Sequence, residues 1–283
     1  MDYVFPAEVI SDAVRAAEKK AGLSARDLVI RGALSGVFLS YGASLALVAV
    51  SQGLPAIAGA IVFPAGFVIL VLLGLELATG NFALLPMAWM EGRIGMAAML
   101  RNWSWVYAGN LIGSCLYALL FWAAITTFGS SNGGALGDLV RQTAVKKTVA
   151  YAALGGAGWG TAFVRALLCN WMVTIGTLLA FASRSTLGKI IGMWLPITTF
   201  FAHGYEHSIV NMFVIPAGML LKAPVSASQW WIWNQIPVTL GNILAGAVFT
   251  GVALWWTHAR KHEKLSPETD AAIAVVTAKM RVG

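Results

Sequence analysis

The sequence predicts an all-α membrane protein, with six transmembrane helices built as two inverted three-helix repeats and with the second and fifth helices broken. Three observations carry that prediction: composition, six long apolar blocks and an internal repeat. Hydrophobic residues make up 58% of the 283-residue chain and charged residues only 11%. Mean hydropathy is +0.74. A soluble domain carries about 25% charged residues, so this chain lacks the charge to face water on all sides. Its solvent is largely lipid. That excludes an ordinary soluble enzyme, a disordered chain and a nucleic-acid binder, despite a net charge of +7.

Taken in order, residues 6–22 place Val9, Ile10, Ala13, Val14 and Ala17 at helical spacing. They predict an amphipathic helix within a cytosolic N-terminal segment, residues 1–30, packed under the spans. That segment has no apolar run after a basic start, so no cleavable signal is expected and the first span serves as its own insertion signal. Apolar blocks follow at 32–51, 54–89, 103–128, 162–183, 190–221 and 233–257. Four have ordinary spanning length. As straight helices the second and fifth would be roughly 54 and 48 Å long, against a hydrocarbon core about 30 Å thick. Gly and polar residues cluster near the middle of both, so both are expected to break within the membrane. Cys115 and Cys169 lie in apolar runs and suggest neither a disulfide nor a metal site.

Basic residues set the orientation. Arg15, Lys19, Lys20, Arg26, Arg31, Arg93, Arg101, Arg184, Lys189 and the tail residues from Arg260 onward fall on one side. Arg141, Lys146, Lys147 and Lys222 fall on the other, with Arg165 at the mouth of the fourth span. Both termini are therefore expected in the cytoplasm. The domains read as the N-terminal segment, a first repeat over 31–128, a periplasmic connection over 129–161, a second repeat over 162–257 and a cytosolic tail over 258–283.

The repeat is visible in the residues. Gly74, Glu76, Asn81 and Pro86 form G-x-E-x4-N-x4-P, and Gly204, Glu206, Asn211 and Pro216 form the same pattern 130 positions later. Asn102 and Asn110 recur as Asn234 and Asn242 at an offset of 132, and Arg31 recurs as Arg165 at 134. Three matched pairs argue for a duplicated unit. An odd number of spans per unit requires the copies to be inverted, a recurrent transporter and channel design.

Glu76 and Glu206 are the acids deep within apolar blocks. A charge at mid-membrane costs at least about 2.5–3.5 kcal/mol, so both need partners. The expectation is that each carboxylate accepts hydrogen bonds from backbone N–H groups freed at its helix break; the rival reading is a titrating proton carrier. Asn81 and Asn211 are expected to satisfy freed backbone groups too, Gly74 and Gly204 to lie at the breaks, and Pro86 and Pro216 to mark bends or restarts. His207 adjoins Glu206, with His203 four residues earlier. No third ligand lies near, so no metal is expected, nor any other cofactor. Beside an acid at a symmetric break, His207 is placed to meet an incoming anion.

The stretches GLELATGN (74–81), RALLCNWMV (165–173) and GYEHSIVNMFVIP (204–216) resemble the formate/nitrite transporter family, and with span count and spacing the resemblance covers roughly residues 5–260. It implies an aquaporin-like protomer holding its own pore, assembly as a homopentamer in a bacterial inner membrane, and passage of small monovalent anions. Formate is the first choice, because the GLELATGN form looks most like the branch associated with formate dehydrogenases. Nitrite, hydrosulfide and lactate are the alternatives. By position, the resemblance makes His207 the pore histidine, Thr79 its hydrogen-bonding partner and Asn170 the pore asparagine. Thr79, His207 and Asn170 would all donate to the passing anion, and His207 would transiently transfer a proton. Phe67 and Phe200 fall at the hydrophobic constrictions, with Phe63 one turn earlier; plain core packing is the other reading of each. Ala78 stands where better-known formate channels carry a bulky aromatic. A vestibule lysine of some members aligns without gaps on Leu154, with Lys146 and Lys147 upstream. The resemblance also implies a pH-sensitive gate in the N-terminal helix of some relatives. Two other functions fit the composition: an aquaporin-like pore for a neutral solute, which lacks paired Asn-Pro-Ala motifs here, and a redox subunit, which lacks haem-binding His pairs on separate spans. Beyond the anion, lipid is the expected partner.

Overall fold

The computed structural model describes residues 2–259. The described residues are helical apart from turns and one antiparallel bridge between Tyr3 and Ser183. In chain order the helices are α1 (Pro6–Ala21), α2 (Ala25–Ser51), α3 (Ala56–Val62), α4 (Pro64–Leu72), α5 (Ala78–Met90) and α6 (Met96–Thr126). Then come α7 (Gly134–Lys147), α8 (Val149–Ala153), α9 (Gly155–Leu179), α10 (Thr186–Ala202), α11 (Ser208–Leu220) and α12 (Ala227–His258). Four of these, α2, α6, α9 and α12, are long and apolar enough to cross a membrane. The chain is a multi-pass membrane protein. Of the expected tail 258–283, all beyond Ala259 lies outside the described residues.

The long helices pair within each half, and glycine makes the pairing close. A Cβ on Gly113 of α6 would sit 1.9 Å from the Ala33 carbonyl oxygen of α2. One on Gly241 of α12 would sit 2.4 Å from the Phe163 carbonyl of α9. In lipid, helix association rests on such close packing rather than on a hydrophobic drive. Helix α1 buries Val9, Ile10, Ala13, Val14, Ala17 and Ala21, the expected apolar face with one more alanine, and it packs on α5. Helix α12 holds two π-helical stretches, Trp231–Gln235 and Ala245–Val252, which nothing in the apolar pattern announces.

Helicity stops after Leu72 and after Ala202 and resumes at Ala78 and Ser208. The two stops are built alike. Gly74 and Gly204 both have φ +65°, a left-handed conformation that glycine adopts at little cost. The Gly74 N–H donates to the Val71 carbonyl and the Leu75 N–H to the Leu70 carbonyl, at 3.0 and 2.9 Å. The Gly204 and Tyr205 N–H groups do the same to Phe201 and Phe200, at 2.9 and 3.3 Å. Both are glycine-terminated Schellman ends. Pro86 and Pro216 do not mark the restarts, because each lies inside its helix, α5 or α11. Proline does interrupt at Pro64, where α3 passes into α4.

Candidate functional site

The site forms where the two stops meet. At the first, the Ala78 N–H donates to Asn110 Oδ1 at 2.9 Å. Asn110 Nδ2 donates to the Gly32 and Glu76 carbonyls at 2.8 and 2.9 Å. At the second, the Ser208 N–H donates to Asn242 Oδ1 at 2.9 Å, and Asn242 Nδ2 donates to the Ala166 and Glu206 carbonyls at 2.7 and 3.2 Å. One amide side chain supplies both a donor and an acceptor, which suits it to an interrupted backbone. Freed backbone groups are thus met by Asn110 and Asn242 on the neighbouring helices and, at the second stop, by the His207 ring, not by the side chains of Asn81 and Asn211.

The carboxylates find different partners from those expected. Glu76, 1% exposed, accepts from Lys20 Nζ and Asn81 Nδ2, both at 2.7 Å. Asn81 Nδ2 also donates to Asn102 Oδ1 at 2.9 Å, and Asn102 returns to the Lys20 carbonyl at 3.1 Å. Glu206, 2% exposed, accepts from Lys147 Nζ and Asn211 Nδ2 at 2.8 Å and from the Tyr151 hydroxyl at 3.0 Å. Asn211 Nδ2 reaches Asn234 Oδ1 at 2.8 Å, and Asn234 returns to the Lys147 carbonyl at 2.9 Å. Among the described residues, no backbone N–H donates to either carboxylate. The reason is charge: a buried ion costs several kcal/mol unless another ion matches it. Lys20 and Lys147, read from sequence as solvated side markers, supply the match from the last turns of α1 and α7.

Between the stops lies a contact that joins α5 to the start of α11. His207 Nε2 is 3.2 Å from Thr79 Oγ1. The Ile209 and Val210 N–H groups donate to His207 Nδ1 at 3.2 and 3.3 Å. Nδ1 is therefore an acceptor and Nε2 carries the hydrogen. The Thr79 hydroxyl accepts from it and keeps its own hydrogen free to donate. Asn170 Nδ2 donates to the Thr79 and Asn242 carbonyls at 3.1 and 2.7 Å, and its buried Oδ1 is unpartnered. Asn170 joins the pair through these two bonds, which engage its N–H groups with backbone carbonyls. His203 and His207 do not share a helix face: His203 ends α10 and His207 caps α11.

A cavity opens on each side of this contact, and the two share no lining residue. The first, about 270 Å³, is lined by Lys20, Phe67, Gly74, Gly80, Asn81 and Lys189 among others. The second, about 280 Å³, includes Lys146, Lys147, Arg165, Phe200, Glu206 and His207. Phe200 lies over His207 with ring centroids 5.7 Å apart. Phe63 is fully buried, edge-on to Phe200 at 5.6 Å and stacked on Phe201 at 4.0 Å. Ala78 is fully buried and lines neither cavity. Leu154 is exposed at the α8–α9 turn, while Lys146 and Lys147 both line the second cavity. Lys20, Asn102, Asn110 and Tyr151 escaped the sequence reading as site residues. The matched offsets of Asn102 with Asn234 and Asn110 with Asn242 were the available signal.

Comparison with known proteins shows the family. The profile described as Formate/nitrite transporter matches residues 7–256. The chain is 35% identical over 272 residues to a probable formate transporter of Methanothermobacter thermautotrophicus, covering 90% of this chain and 97% of that protein. A solved FNT family ion channel superposes with a TM-score of 0.77 at 26% identity, covering 88% of this chain and 98% of the other. A pentameric formate channel with formate bound gives a TM-score of 0.69 at 25% identity, covering 83% and 98%. This chain, a transport protein and not an enzyme, belongs to the formate/nitrite transporter family.

Proposed function

We propose that the protein is a channel for small monovalent anions, formate first, with the pore at the Thr79–His207 contact. The observation that carries this reading is a buried hydrogen-bonding pair standing between two lysine-bearing cavities. In this reading the six spans are α2, the α3–α5 run, α6, α9, the α10–α11 run and α12, in two inverted repeats with both termini cytoplasmic. Five protomers assemble, each with its own pore, in keeping with the likeness to a pentameric formate channel.

Lysine and arginine draw the anion into a vestibule. Phe67 on one side, and Phe200 with Phe63 on the other, narrow the path and strip its water. A bare anion in an apolar bore is costly, and Thr79 and His207 offset that cost. Thr79 presents a free hydroxyl hydrogen, and His207 can lend the Nε2–H that it otherwise gives to Thr79. Proton uptake by His207 would need Nδ1, which two backbone amides already occupy. Its role is therefore that of a neutral donor, and any proton that travels with formate does not lodge on this ring.

Formate uptake into proteoliposomes tests the pair. A hydrogen bond to a charged group contributes about 1.5–3 kcal/mol, so Thr79→Val should slow uptake roughly ten- to hundredfold. His207→Phe should abolish most of it. Undiminished pH-dependent uptake by His207→Phe would overturn the central histidine. Swelling in stopped flow without formate uptake by the unmodified protein would favour a neutral-solute pore.

A further inference from the structure

Because Ala78 lines neither cavity, the α5 wall of the first one is made by Gly80, Asn81 and Leu84. Gly80 directly follows Thr79 in the first turn of α5, so this end of the cavity lies one residue from the Thr79–His207 contact. Across from Gly80 stands Thr177 of α9, which lines the same cavity. A Cβ on Gly80 would sit 3.1 Å from Thr177 Oγ1 and 3.6 Å from its Cγ2. The first distance is tighter than nearly all real Cβ contacts. The glycine therefore keeps open a gap that one methyl group would close.

The surroundings hold this gap on the way to Thr79. Asn170, seven residues before Thr177, donates to the Thr79 carbonyl at 3.1 Å. Seven residues are about two turns, so one face of α9 runs from the contact to the gap. The Thr177 hydroxyl donates to the Val173 carbonyl at 3.1 Å within α9. Helix α4 supplies only apolar side chains to the cavity, Phe67 among them. The cations of the lining, Lys20 and Lys189, come from α1 and α10. Among the described residues of that lining, Thr177 carries the one hydroxyl. In the second G-x-E-x4-N-x4-P segment the position matching Gly80 is Val210, which lines the second cavity with a full side chain.

We propose that Gly80 and Thr177 form the neck that sorts carboxylates by size between the first cavity and Thr79. The neck admits formate, whose carboxylate bears only a hydrogen, and holds back carboxylates that bear a methyl or larger group. The substrate class rests on the anion-channel reading above. In a tight pocket one carbon more or less changes discrimination about tenfold or more. The Thr177 hydroxyl borders the gap, so the anion that fits meets a polar edge there rather than a wholly apolar ring.

The test compares formate and acetate uptake into proteoliposomes by the unmodified protein, Gly80→Ala, Thr177→Ala and the double variant. Thr177→Ala removes both near atoms and leaves a Cβ 4.0 Å from the methyl that Gly80→Ala adds. The formate-to-acetate ratio should rise about tenfold in Gly80→Ala and fall about tenfold in Thr177→Ala. In the double variant it should return to within about threefold of the unmodified value. Thr177→Ala only removes atoms, so it reads the neck even if Gly80→Ala does not fold. A ratio unchanged in Thr177→Ala would reduce the contact to α5–α9 packing and overturn the proposal. Thr177→Cys, in a chain carrying Cys115→Ala and Cys169→Ala, gives a readout apart from uptake. Its thiol should react with a small anionic methanethiosulfonate, and formate should slow that reaction where the bulkier gluconate does not. A thiol that fails to react, or whose modification ignores formate, would overturn the neck. Absence of formate uptake by the unmodified protein, with that protection intact, would instead overturn the channel reading alone.

Discussion

Removing the ammonium of Lys147 leaves the Glu206 carboxylate buried with only neutral donors, Tyr151, Asn211 and Asn234. Breaking a buried pair from one side costs about 3–5 kcal/mol, while replacing both charges is far milder. Lys147→Met should therefore destabilise strongly, and Lys147→Met with Glu206→Gln should recover most of the loss. Thermal or denaturant unfolding in detergent reads the difference. Penalties that simply add in the double variant would show that the ions are not coupled. At this scale the sequence was half legible. Glu76 and Glu206 stood out because an acid inside an apolar run is conspicuous. Lys20 and Lys147 did not, because a lysine in the last turn of an amphipathic helix reads equally well as a complement to the dipole or as a topology marker. Only the folded chain shows which carboxylate each one reaches.

Among the elements, α1 is held at both ends. Lys20 ties its last turn to Glu76. Before its first turn, Asp2 accepts from the Ser183 hydroxyl at 2.7 Å and from the Arg184 and Ser185 N–H groups at 2.8 and 2.7 Å. Arg184 adds ion pairs to Glu8 and Asp12. The Ser183 hydroxyl first, then the Ser185 N–H, hold the Asp2 carboxyl below its usual range. A depressed pKa means that the clasp is present above the ordinary value, about 3.9, and is lost only as pH falls through the lower folded value. The clasp itself does not titrate between about pH 5 and 8. Asp2→Asn should loosen residues 2–12 equally across that range, seen as faster amide hydrogen exchange. Exchange in the unmodified segment that quickens on going from pH 8 to 5 would contradict this and make the clasp a switch. The face by which α1 packs was legible, since its spacing is regular. The π-helical stretches of α12 were not, because they leave the apolar block unbroken.

Across the whole molecule, Thr79 and His207 stand between two cavities of the same chain, the first lined by Phe67 and Lys20 and the second by Phe200 and Lys147. The outer surface tells a different story: Tyr41, Ile112, Leu120 and Leu195 are each more than half exposed. Such side chains call for lipid or a neighbouring subunit around the protomer. The two helix stops explain why this contact closes within one chain. Two stops, each ended by a glycine and spanned by an asparagine of a neighbouring helix, bring Thr79 and His207 together, so no second subunit is needed to complete the contact. The matched offsets in the sequence pointed to both stops, but not to how the stops differ. His207 caps α11 with its own ring, whereas Leu77 leaves α5 without a side-chain cap. If the protein is a pentamer with independent pores, mixing unmodified and His207→Phe chains should lower formate flux in proportion to the variant. At equal amounts, flux should fall to about half, whereas a route needing all five chains intact would fall to about one-thirtieth. Co-expression with two affinity tags, native mass spectrometry to establish the number of 30.0 kDa chains and flux measured per protein decide between them. A fall much steeper than linear would place the permeation path between subunits and remove the Thr79–His207 contact from the pore.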